Sequence, residues 1–353
     1  MKTHAIIPIF IPHLGCPNDC AFCNQKKITA RTNPLSGADM AETAEKYLKT
    51  INGRGIETVE IAFFGGSFTG IPLEQQREYL SVAKSYKDRG AIQKIRLSTR
   101  PDYISDEILA NLRQYGADII ELGVQSFDDE TLRLSNRGHS REAVYTASRL
   151  IRDYGFELGL QLMIGLPGDT REKSVESARE AAKIRPSVAR LYPTVIIKDT
   201  ALYDMYLRGE YTPLTREEAL GTTKDMYRIL TDAGVNVIRI GLKSTDLIRE
   251  NGEIAGGYHP AFRQLVESEI AREQMEAQLL DLLKPNSGRN NTGEGDFIGI
   301  AFCSNAASFS NMIGHRKSNR VYFEEKYPHV RFTFHVDPNL TDHIYSLKIP
   351  DRS

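Results

Sequence analysis

Over its first 240 residues, the chain alternates between two patterns of hydrophobic and polar positions. Short, nearly continuous apolar runs predict strands that are covered on both faces of a parallel sheet. These runs are Ala5–Ile11, Val59–Phe64, Ile95–Thr99, Ile119–Val124, Leu158–Ile164 and Val188–Val195. The segments between them repeat apolar residues at the spacing of one helix face. They predict helices over Ala38–Ile51, Leu73–Tyr86, Asp106–Tyr115, Arg141–Tyr154, Thr170–Ile184 and Arg216–Ala233.

Six strand–helix units in a row predict a parallel sheet with right-handed crossover connections. Side chains suited to cap a helix N-terminus support the helix assignments. The predicted caps are Ser105, Ser140, Asp169 and Thr215. Both a doubly wound sheet and a full or partial β/α barrel fit this pattern, and both bind ligands at the carboxyl ends of their strands.

The pattern changes after about residue 245. Pro260–Leu283 predicts a long helix, and Pro285–Gly295 is typical of a linker because it is rich in Gly and Asn. Asp296–Ser353 predicts a small α+β element. We therefore predict a core domain over residues 1–245 and a C-terminal extension over residues 246–353, with substrate binding as the hypothesis for the extension.

Composition and charge exclude several classes of protein. With 41% hydrophobic residues among 353, most of the chain can build a core and is not expected to be disordered. A net charge of -1 gives no support to a strongly basic nucleic-acid binder, so no DNA partner is expected. No apolar run reaches the roughly 18–20 residues that cross a bilayer, and the N-terminus lacks signal-peptide features. We expect a cytoplasmic protein without a membrane partner, whose thiols stay reduced.

Three of the four cysteines, Cys16, Cys20 and Cys23, lie within eight residues directly after the first predicted strand. Three thiolates at C-x3-C-x2-C spacing can hold a [4Fe–4S] cluster and leave one iron open, since such a cluster normally takes four protein thiolates. Two alternatives stay open: a zinc site completed by His13, and three unliganded buried thiols. The lone Cys303 is expected to be a small core residue.

The C-x3-C-x-aromatic-C spacing, followed by repeated strand–helix units, resembles the signature of the radical S-adenosylmethionine (SAM) enzymes. The resemblance implies a partial (β/α)6 TIM-like barrel with a smaller α+β extension, and a [4Fe–4S] cluster on Cys16, Cys20 and Cys23. It implies that the open iron binds the amino and carboxylate groups of SAM and that Phe22 lies against the adenine. Reductive cleavage of SAM would give a 5′-deoxyadenosyl radical that takes a hydrogen atom from the substrate. An electron donor of the flavodoxin or ferredoxin type is implied as a partner.

Further segments at strand ends extend the resemblance over roughly residues 5–240. The F-F-G-G-S-F segment resembles the one that holds the SAM amino group, and S-T-R-P-D resembles a segment of the Elongator catalytic subunit. The V-Q-S and N-R-G-H segments match SAM-contacting positions of oxygen-independent coproporphyrinogen oxidases, and the polar residue of L-Q-L-M-I-G stands where relatives often carry aspartate. The implied SAM-binding residues are Phe22, Gly65, Gly66, Ser67, Ser98, Arg100, Gln125, Arg137 and Gln161.

Each of these polar residues also has a purely structural interpretation. Arg100 fits a surface salt bridge, Arg137 fits a solvent-exposed loop, and His139 fits either an acid–base group or a structural loop residue. No catalytic residue beyond the cofactor-binding set is identified from the sequence.

The Elongator-like resemblance makes a tRNA nucleoside our first substrate hypothesis, with a small molecule or peptide as the alternative. No acetyl-CoA phosphate loop (Q-x-x-G-x-G/A) is found within these residues, so the acetyltransferase half of Elongator is not expected here. Basic residues interleaved with aromatic ones over residues 311–332 fit RNA contacts or a solvated face over a small core. A non-catalytic iron–sulfur protein for electron transfer or sensing, and a zinc-bound interaction module, are the alternatives from other functional classes.

Overall fold

The structure, a computed structural model, describes residues 3–11, 20–23, 35–242, 256–284 and 298–350. The chain divides into two units, Met1–Tyr258 and His259–Ser353. The domain boundary predicted at residue 245 falls in the segment 243–255, outside the described residues, and stays a prediction. None of the helices in the described ranges is long and apolar enough to cross a membrane.

Seven parallel strands form the sheet of the first unit and pair in chain order. They are β1 (His4–Ile11), β2 (Thr58–Gly65), β3 (Lys94–Thr99), β4 (Ile119–Gln125), β5 (Glu157–Ile164), β6 (Val188–Pro193) and β7 (Asn236–Ile240). The sheet curls into a half-barrel, which confirms the partial TIM-like fold. The seventh strand, N-V-I-R-I, is one more than the sequence predicts, because its polar residues interrupt the apolar run.

Helices connect successive strands of this sheet. In the described part of the first unit they are α1 (Gly37–Ile51), α2 (Leu73–Asp88), α3 (Asp106–Gln114), α4 (Asp129–Leu134), α5 (Arg141–Asp153), α6 (Arg171–Ile184), α7 (Ala201–Leu207) and α8 (Arg216–Asp232). The six predicted helices correspond to α1, α2, α3, α5, α6 and α8. The short helices α4 and α7 were not predicted, since neither is long enough to show a periodic apolar face.

Side-chain caps define where several of these helices begin. Ser105, Ser140 and Thr215 each accept a hydrogen bond from the backbone N–H three residues on, as predicted. For α6 the prediction of Asp169 is wrong, because Thr170 is the N-cap and accepts from the backbone of Lys173. The carboxylate of Asp169 instead accepts hydrogen bonds from backbone N–H groups at Gly165 and Thr170 and from Ser174.

One face of the sheet carries a chain of buried ion pairs. Arg96 on β3 donates to Glu60 on β2 over 2.7 Å and to Glu121 on β4 over 2.5 Å. Arg190 on β6 donates to the same Glu121 over 2.6 Å. Because side chains alternate between the two faces of a strand, these four residues share one face. The alternate positions, such as Leu97, are apolar and fully buried.

A three-stranded sheet and three α-helices build the described part of the second unit. Its residues 298–350 correspond to the small α+β element predicted for Asp296–Ser353, and its first helix corresponds to the one predicted over Pro260–Leu283. Its strands are β8 (Ile298–Ser304), β9 (Val330–Val336) and β10 (Tyr345–Lys348), with β8 in the centre, parallel to β9 and antiparallel to β10. Its described helices are α9 (Phe262–Leu282), α10 (Phe309–Ile313) and α11 (Ser318–Lys326). Phe302, Phe323 and Phe332 pack at the centre of its core.

Three aromatic residues and one lysine of the segment 311–332 contact this core or its surface. Phe323 is fully buried, and the hydroxyls of Tyr322 and Tyr327 donate to the carboxylate of Glu276. Lys326 forms an ion pair with the same carboxylate over 2.8 Å. These contacts favour the interpretation of a solvated face over a small core.

Candidate functional site

Two of the three clustered cysteines lie in a tight turn that hydrogen bonds hold in place. The backbone N–H of Cys23 donates to the carbonyl of Cys20 over 2.9 Å. Between them, Ala21 donates to Ser135 and accepts from Leu202 through backbone groups. Cys20 is buried and Cys23 is half-buried. The turn is therefore anchored to the chain just after α4 and to the first turn of α7.

The remaining predicted metal ligand, Cys16, lies outside the described residues, as does His13, the residue of the zinc alternative. Among the residues that the structure describes, no three His, Cys, Asp or Glu side chains are grouped to hold a metal ion. The three-cysteine site therefore stays a prediction, of which the structure describes two members.

Arg137 reaches this turn from the loop after α4. Its Nη1 donates to Sγ of Cys20 over 3.2 Å, and its Nη2 donates to the carbonyl of Gly123 at the end of β4. Arg137 is 7% exposed, so the interpretation of a solvent-exposed loop residue is wrong. Its Nε is buried and has no hydrogen-bond partner among the described residues.

A second arginine, Arg100, is buried beside Cys20 and interacts electrostatically with it. Its guanidinium binds Asp102 through two hydrogen bonds of 2.9 and 2.7 Å. The salt bridge that the sequence suggests is thus present, but Arg100 is only 1% exposed and does not lie on the surface. Burial tends to raise the pKa of Asp102, but the hydrogen bonds and charge of Arg100 outweigh it and hold that pKa below its usual value.

His139 is a neutral group in this cluster. Burial, followed by the charge of Arg137, lowers the pKa of His139 to about 4. Its Nδ1 lies 3.2 Å from the carbonyl oxygen of Ser140, which can only accept, so Nδ1 carries the proton. The Nε2 atom is therefore a buried acceptor, and it has no partner within the described chain.

Gln125 ends β4 in a conformation that the strand does not predict. The register of the pairing of β4 with β5 shifts between Gly123 and Gln125, and Gln125 has a φ of 67°. Left-handed backbone at a residue other than glycine is uncommon and is concentrated at functional sites. Oε1 of Gln125 is buried and has no partner in the described ranges.

Ser98 and Gln161 meet on the face of the sheet that carries the ion pairs. The Gln161 amide nitrogen donates to Oγ of Ser98 over 3.2 Å and to Oε2 of Glu121 over 2.8 Å. The structure therefore brings together two residues that the sequence placed on separate strands. It also gives the half-buried Gln161 amide two protein partners for its N–H groups.

The glycine segment after β2 lies against the end of β1. Gly65 has a φ of 99°, and a Cβ there would lie 2.7 Å from the carbonyl oxygen of Ile11. The N–H of Gly66 donates to the same oxygen over 3.2 Å, while Ser67 is buried. A side chain at position 65 would thus be both strained and crowded.

Phe22, which the resemblance places against adenine, packs in the described structure on a small apolar cluster. Its neighbours there are Ile196, Leu202 and Tyr211. The ring is half-buried and lies in the same turn as Cys20 and Cys23.

The donor set fits an iron–sulfur cluster with a polar ligand beside it. Two thiols share one turn, and four buried polar atoms near them have no partner among the described residues. These atoms are Nε of Arg137, Nη1 of Arg100, Oε1 of Gln125 and Nε2 of His139. Buried polar atoms are nearly always hydrogen-bonded, so their number at one place indicates a site for a ligand or ordered water.

Three residues with a part in this arrangement are absent from the sequence-based set. Asp102 pairs with Arg100, Glu121 accepts from Gln161, and Gly123 accepts from Arg137. The sequence contains a signal for Asp102, because this residue ends the S-T-R-P-D segment that also contains Arg100. The partners of Glu121 and Gly123 come from other strands and loops, which no single segment of sequence shows.

Comparison with protein families gives two adjacent matches. The model of the radical SAM superfamily matches residues 10–181, and that of the radical SAM C-terminal domain matches residues 186–272. The archaeal Methanocaldococcus infernus Elp3 with an N-terminal deletion has a similar fold, with a TM-score of 0.62 at 23% identity. That similarity covers 79% of this chain and 64% of the other.

Two sequence relatives agree with these matches. An uncharacterized protein of Methanocaldococcus jannaschii is 29% identical over 63% of this chain and 66% of its own length. The tRNA uridine(34) acetyltransferase of Methanocaldococcus infernus is 31% identical over 61% of this chain and 48% of its own length. This chain thus matches only about half to two thirds of the length of these relatives. Family models, fold and relatives agree that the chain belongs to the radical SAM superfamily.

Proposed function

We propose that the protein is a radical SAM enzyme that holds a [4Fe–4S] cluster on Cys16, Cys20 and Cys23 and binds SAM beside it. The observation that carries this proposal is the contact of a buried guanidinium, that of Arg137, with the thiol of Cys20. Membership of the superfamily implies the same two cofactors. When bound, the cluster supplies the electron for reductive cleavage of SAM, which makes abstraction of a hydrogen atom from a substrate feasible.

In this proposal the residues of this chain bind and orient SAM and shield it from water. Gly65 lets the backbone approach a ligand closely, because a side chain there would collide with β1. The unpartnered nitrogens of Arg100 and Arg137 offer hydrogen bonds to an anionic group, and Oε1 of Gln125 offers an acceptor. Burial of these groups excludes water, which would otherwise compete for the same hydrogen bonds. Ser67, Ser98, Gln161 and Phe22 complete the proposed SAM-binding set.

Anaerobic reconstitution tests the cofactor proposal. The protein is loaded with iron and sulfide, given SAM and dithionite, and analysed for 5′-deoxyadenosine. Replacing Cys16, Cys20 or Cys23 by alanine should abolish both the visible absorbance of the cluster and the formation of 5′-deoxyadenosine. Cys303→Ala is the matched control, since Cys303 is buried in the second unit and its replacement should leave both readouts intact. An intact cluster without any product would rule out the proposed activity.

A tRNA nucleoside is the substrate class that we propose first. The supporting observation is similarity to a relative named tRNA uridine(34) acetyltransferase, which covers only part of that protein. Quantifying 5′-deoxyadenosine formation with total tRNA, with tRNA-free extract metabolites and with no addition tests it. Stimulation by tRNA alone supports the proposal, while stimulation by the metabolite fraction alone favours a small molecule.

A one-electron donor of the flavodoxin or ferredoxin type is the second proposed partner. Replacing dithionite with reduced flavodoxin or with reduced ferredoxin in the same assay should sustain formation of 5′-deoxyadenosine. If the chemical reductant works and neither carrier protein does, the donor is of another class.

A further inference from the structure

Arg137 is a buried cation without an acidic partner in the described part of the chain. Every other arginine that is buried in the described part of the first unit has one: Arg96 pairs with Glu60 and Glu121, Arg190 with Glu121, and Arg100 with Asp102. Arg137 is as well buried, at 7% exposure, but it donates to a neutral backbone carbonyl and to a sulfur atom. It is the exception among these four buried guanidinium groups.

A buried charge without a counter-charge is costly, because the protein interior solvates it poorly. A compensating negative charge is therefore expected beside Arg137, either on an atom that it contacts or on the anionic group proposed to bind its unpartnered Nε. The carbonyl of Gly123 cannot carry such a charge. Sγ of Cys20 can, because a thiolate is the form of cysteine that binds a metal. The hydrogen bond of Arg137 therefore falls on the contacted atom through which a cluster would be held.

We propose that Arg137 is the counter-ion of the iron–sulfur cluster and sets its reduction potential through the hydrogen bond to Sγ of Cys20. The inference rests on the proposed function, since Cys20 is a cluster ligand only there. It assigns Arg137 an action on the cluster itself, whereas the sequence resemblance implies a contact with SAM.

The direction of the effect follows from charge. Reduction adds one electron, here taken from dithionite, to the cluster and makes it more negative by one unit. A nearby cation stabilises the more negative state more strongly, and hydrogen bonds to cluster sulfur act in the same direction. Arg137 therefore raises the midpoint potential and makes the cluster easier to reduce.

The position of the Arg137 guanidinium depends on the absence of a side chain at Gly123. Nη1 of Arg137 donates a hydrogen bond to Sγ of Cys20, and Nη2 donates one to the carbonyl of Gly123. A Cβ at Gly123 would lie 2.8 Å from Nη2 of Arg137 and 3.0 Å from Nε2 of Gln125. The missing side chain leaves the space in which the guanidinium lies. Backbone φ at Gly123 is not in the left-handed region, so alanine there is compatible with the strand.

A potentiometric titration in the absence of SAM separates this role from binding of SAM. The full chain is reconstituted anaerobically with iron and sulfide, and the reduced cluster is quantified by electron paramagnetic resonance during titration with dithionite. At the wild-type midpoint, Arg137→Gln should show about a tenfold lower ratio of reduced to oxidised cluster, which is about 59 mV for a one-electron couple. If Arg137 only binds SAM, the titration without SAM will be the same as that of the wild type, and the inference is wrong.

Two further variants make the test decisive. Arg133→Gln removes an exposed arginine four residues earlier, which pairs with Glu130, and should titrate as the wild type does. Gly123→Ala keeps Arg137 but forces its guanidinium to move, so it should shift the ratio in the same direction by less. If Arg137→Gln does not retain iron, Gly123→Ala decides: a lowered ratio supports the inference and a wild-type ratio contradicts it.

Failure of the proposed function would be seen separately. A wild-type protein that takes up no iron–sulfur cluster would contradict the proposed function and the inference with it. A wild-type protein that binds a cluster and cleaves SAM, beside an Arg137→Gln variant of unchanged potential, would contradict the inference alone.

Discussion

Glu121 is the residue that links the buried ion pairs to the candidate site. Burial tends to raise the pKa of Glu121, but the hydrogen bonds and charge of Arg190 and the charge of Arg96 outweigh it and hold that pKa below its usual value. The carboxylate therefore stays ionised and can only accept, which fixes the amide nitrogen of Gln161 towards it. An aspartate at position 161 would place a second negative charge beside Glu121.

The sequence identifies Gln161 as a candidate site residue but does not identify the residues that it contacts. Gln161 is recognisable because it interrupts an apolar run, and a buried amide requires hydrogen bonds. That Ser98 and Glu121 supply them depends on the pairing of β3, β4 and β5, which a single sequence does not show. Likewise, nothing local to Arg137 indicates that it is buried against Cys20.

Removal of the Glu121 charge should destabilise the first unit. Glu121→Gln leaves Arg190 buried without an acidic partner, and breaking a buried ion pair in this way costs about 3–5 kcal/mol. Urea unfolding followed by circular dichroism measures the loss. Glu130→Gln is the control, since Glu130 pairs with Arg133 on the surface and should change stability by less than about 1 kcal/mol. If Glu121→Gln is as stable as Glu130→Gln, the buried ion pairs of Glu121 contribute no more to the free energy of unfolding than a surface pair does.

Buried His139 should make the metal-free protein less stable in mild acid. Its folded pKa of about 4 lies below the ordinary value of 6.5, so between these values the unfolded chain binds a proton that the folded protein does not. Stability therefore falls as the pH falls through this window, by up to about 1.4 kcal/mol per pH unit. Between pH 6 and pH 5 the wild type should lose about 1 kcal/mol more than His139→Asn in urea unfolding. A variant with the wild-type pH dependence would show that His139 does not cause it.

At the scale of elements, the strands were predictable where apolar runs are long and the helices where they are amphipathic. The elements that escaped prediction are short or polar: α4 has six residues, α7 has seven, and β7 contains Asn236 and Arg239. Their stability comes from packing and pairing partners elsewhere in the chain. The turn of Cys20 and Cys23 depends on two of these elements, because it is hydrogen-bonded to the residue just after α4 and to the first turn of α7. The sequence thus identifies the cysteines, but it does not predict the short helices α4 and α7 to which their turn is hydrogen-bonded.

Close packing of β4, β5 and β6 predicts that Gly159 on β5 cannot be replaced by alanine without cost. A Cβ at Gly159 would lie 2.7 Å from Cγ of Glu121 and 2.9 Å from Cγ2 of Val188. Overpacking of this kind costs about 1–3 kcal/mol of unfolding free energy. Thermal or urea unfolding of Gly159→Ala measures it.

Gly221→Ala in α8 is the matched control for Gly159→Ala. No atom lies within 4 Å of a Cβ at Gly221 among the described residues, and alanine favours a helix over glycine by about 0.5–1 kcal/mol. The control should therefore raise stability slightly while Gly159→Ala lowers it. If both substitutions stabilise the protein, the strands are less tightly packed than the structure indicates.

At the scale of the whole molecule, the change of pattern near residue 245 indicates two parts, and the structure has two units, each with its own hydrophobic core. The family model of the C-terminal domain spans residues 186–272 and so includes the end of one unit and the beginning of the other. A family boundary and a physical unit therefore need not coincide. A unit with its own core can in principle be destabilised without loss of the other.

Damage to the second core should leave the cysteine turn intact. Phe323 is fully buried and packs its ring 5.1 Å from that of Phe302 and 5.4 Å from that of Phe332. Phe323→Ala should cost the second unit about 3–5 kcal/mol, while Val321→Ala, at an exposed position of the same helix, should cost little. Because the turn of Cys20 and Cys23 is held by hydrogen bonds within the first unit, both variants should take up as much iron as the wild type on reconstitution. Loss of iron uptake together with the second unit would show that the two units depend on each other for folding.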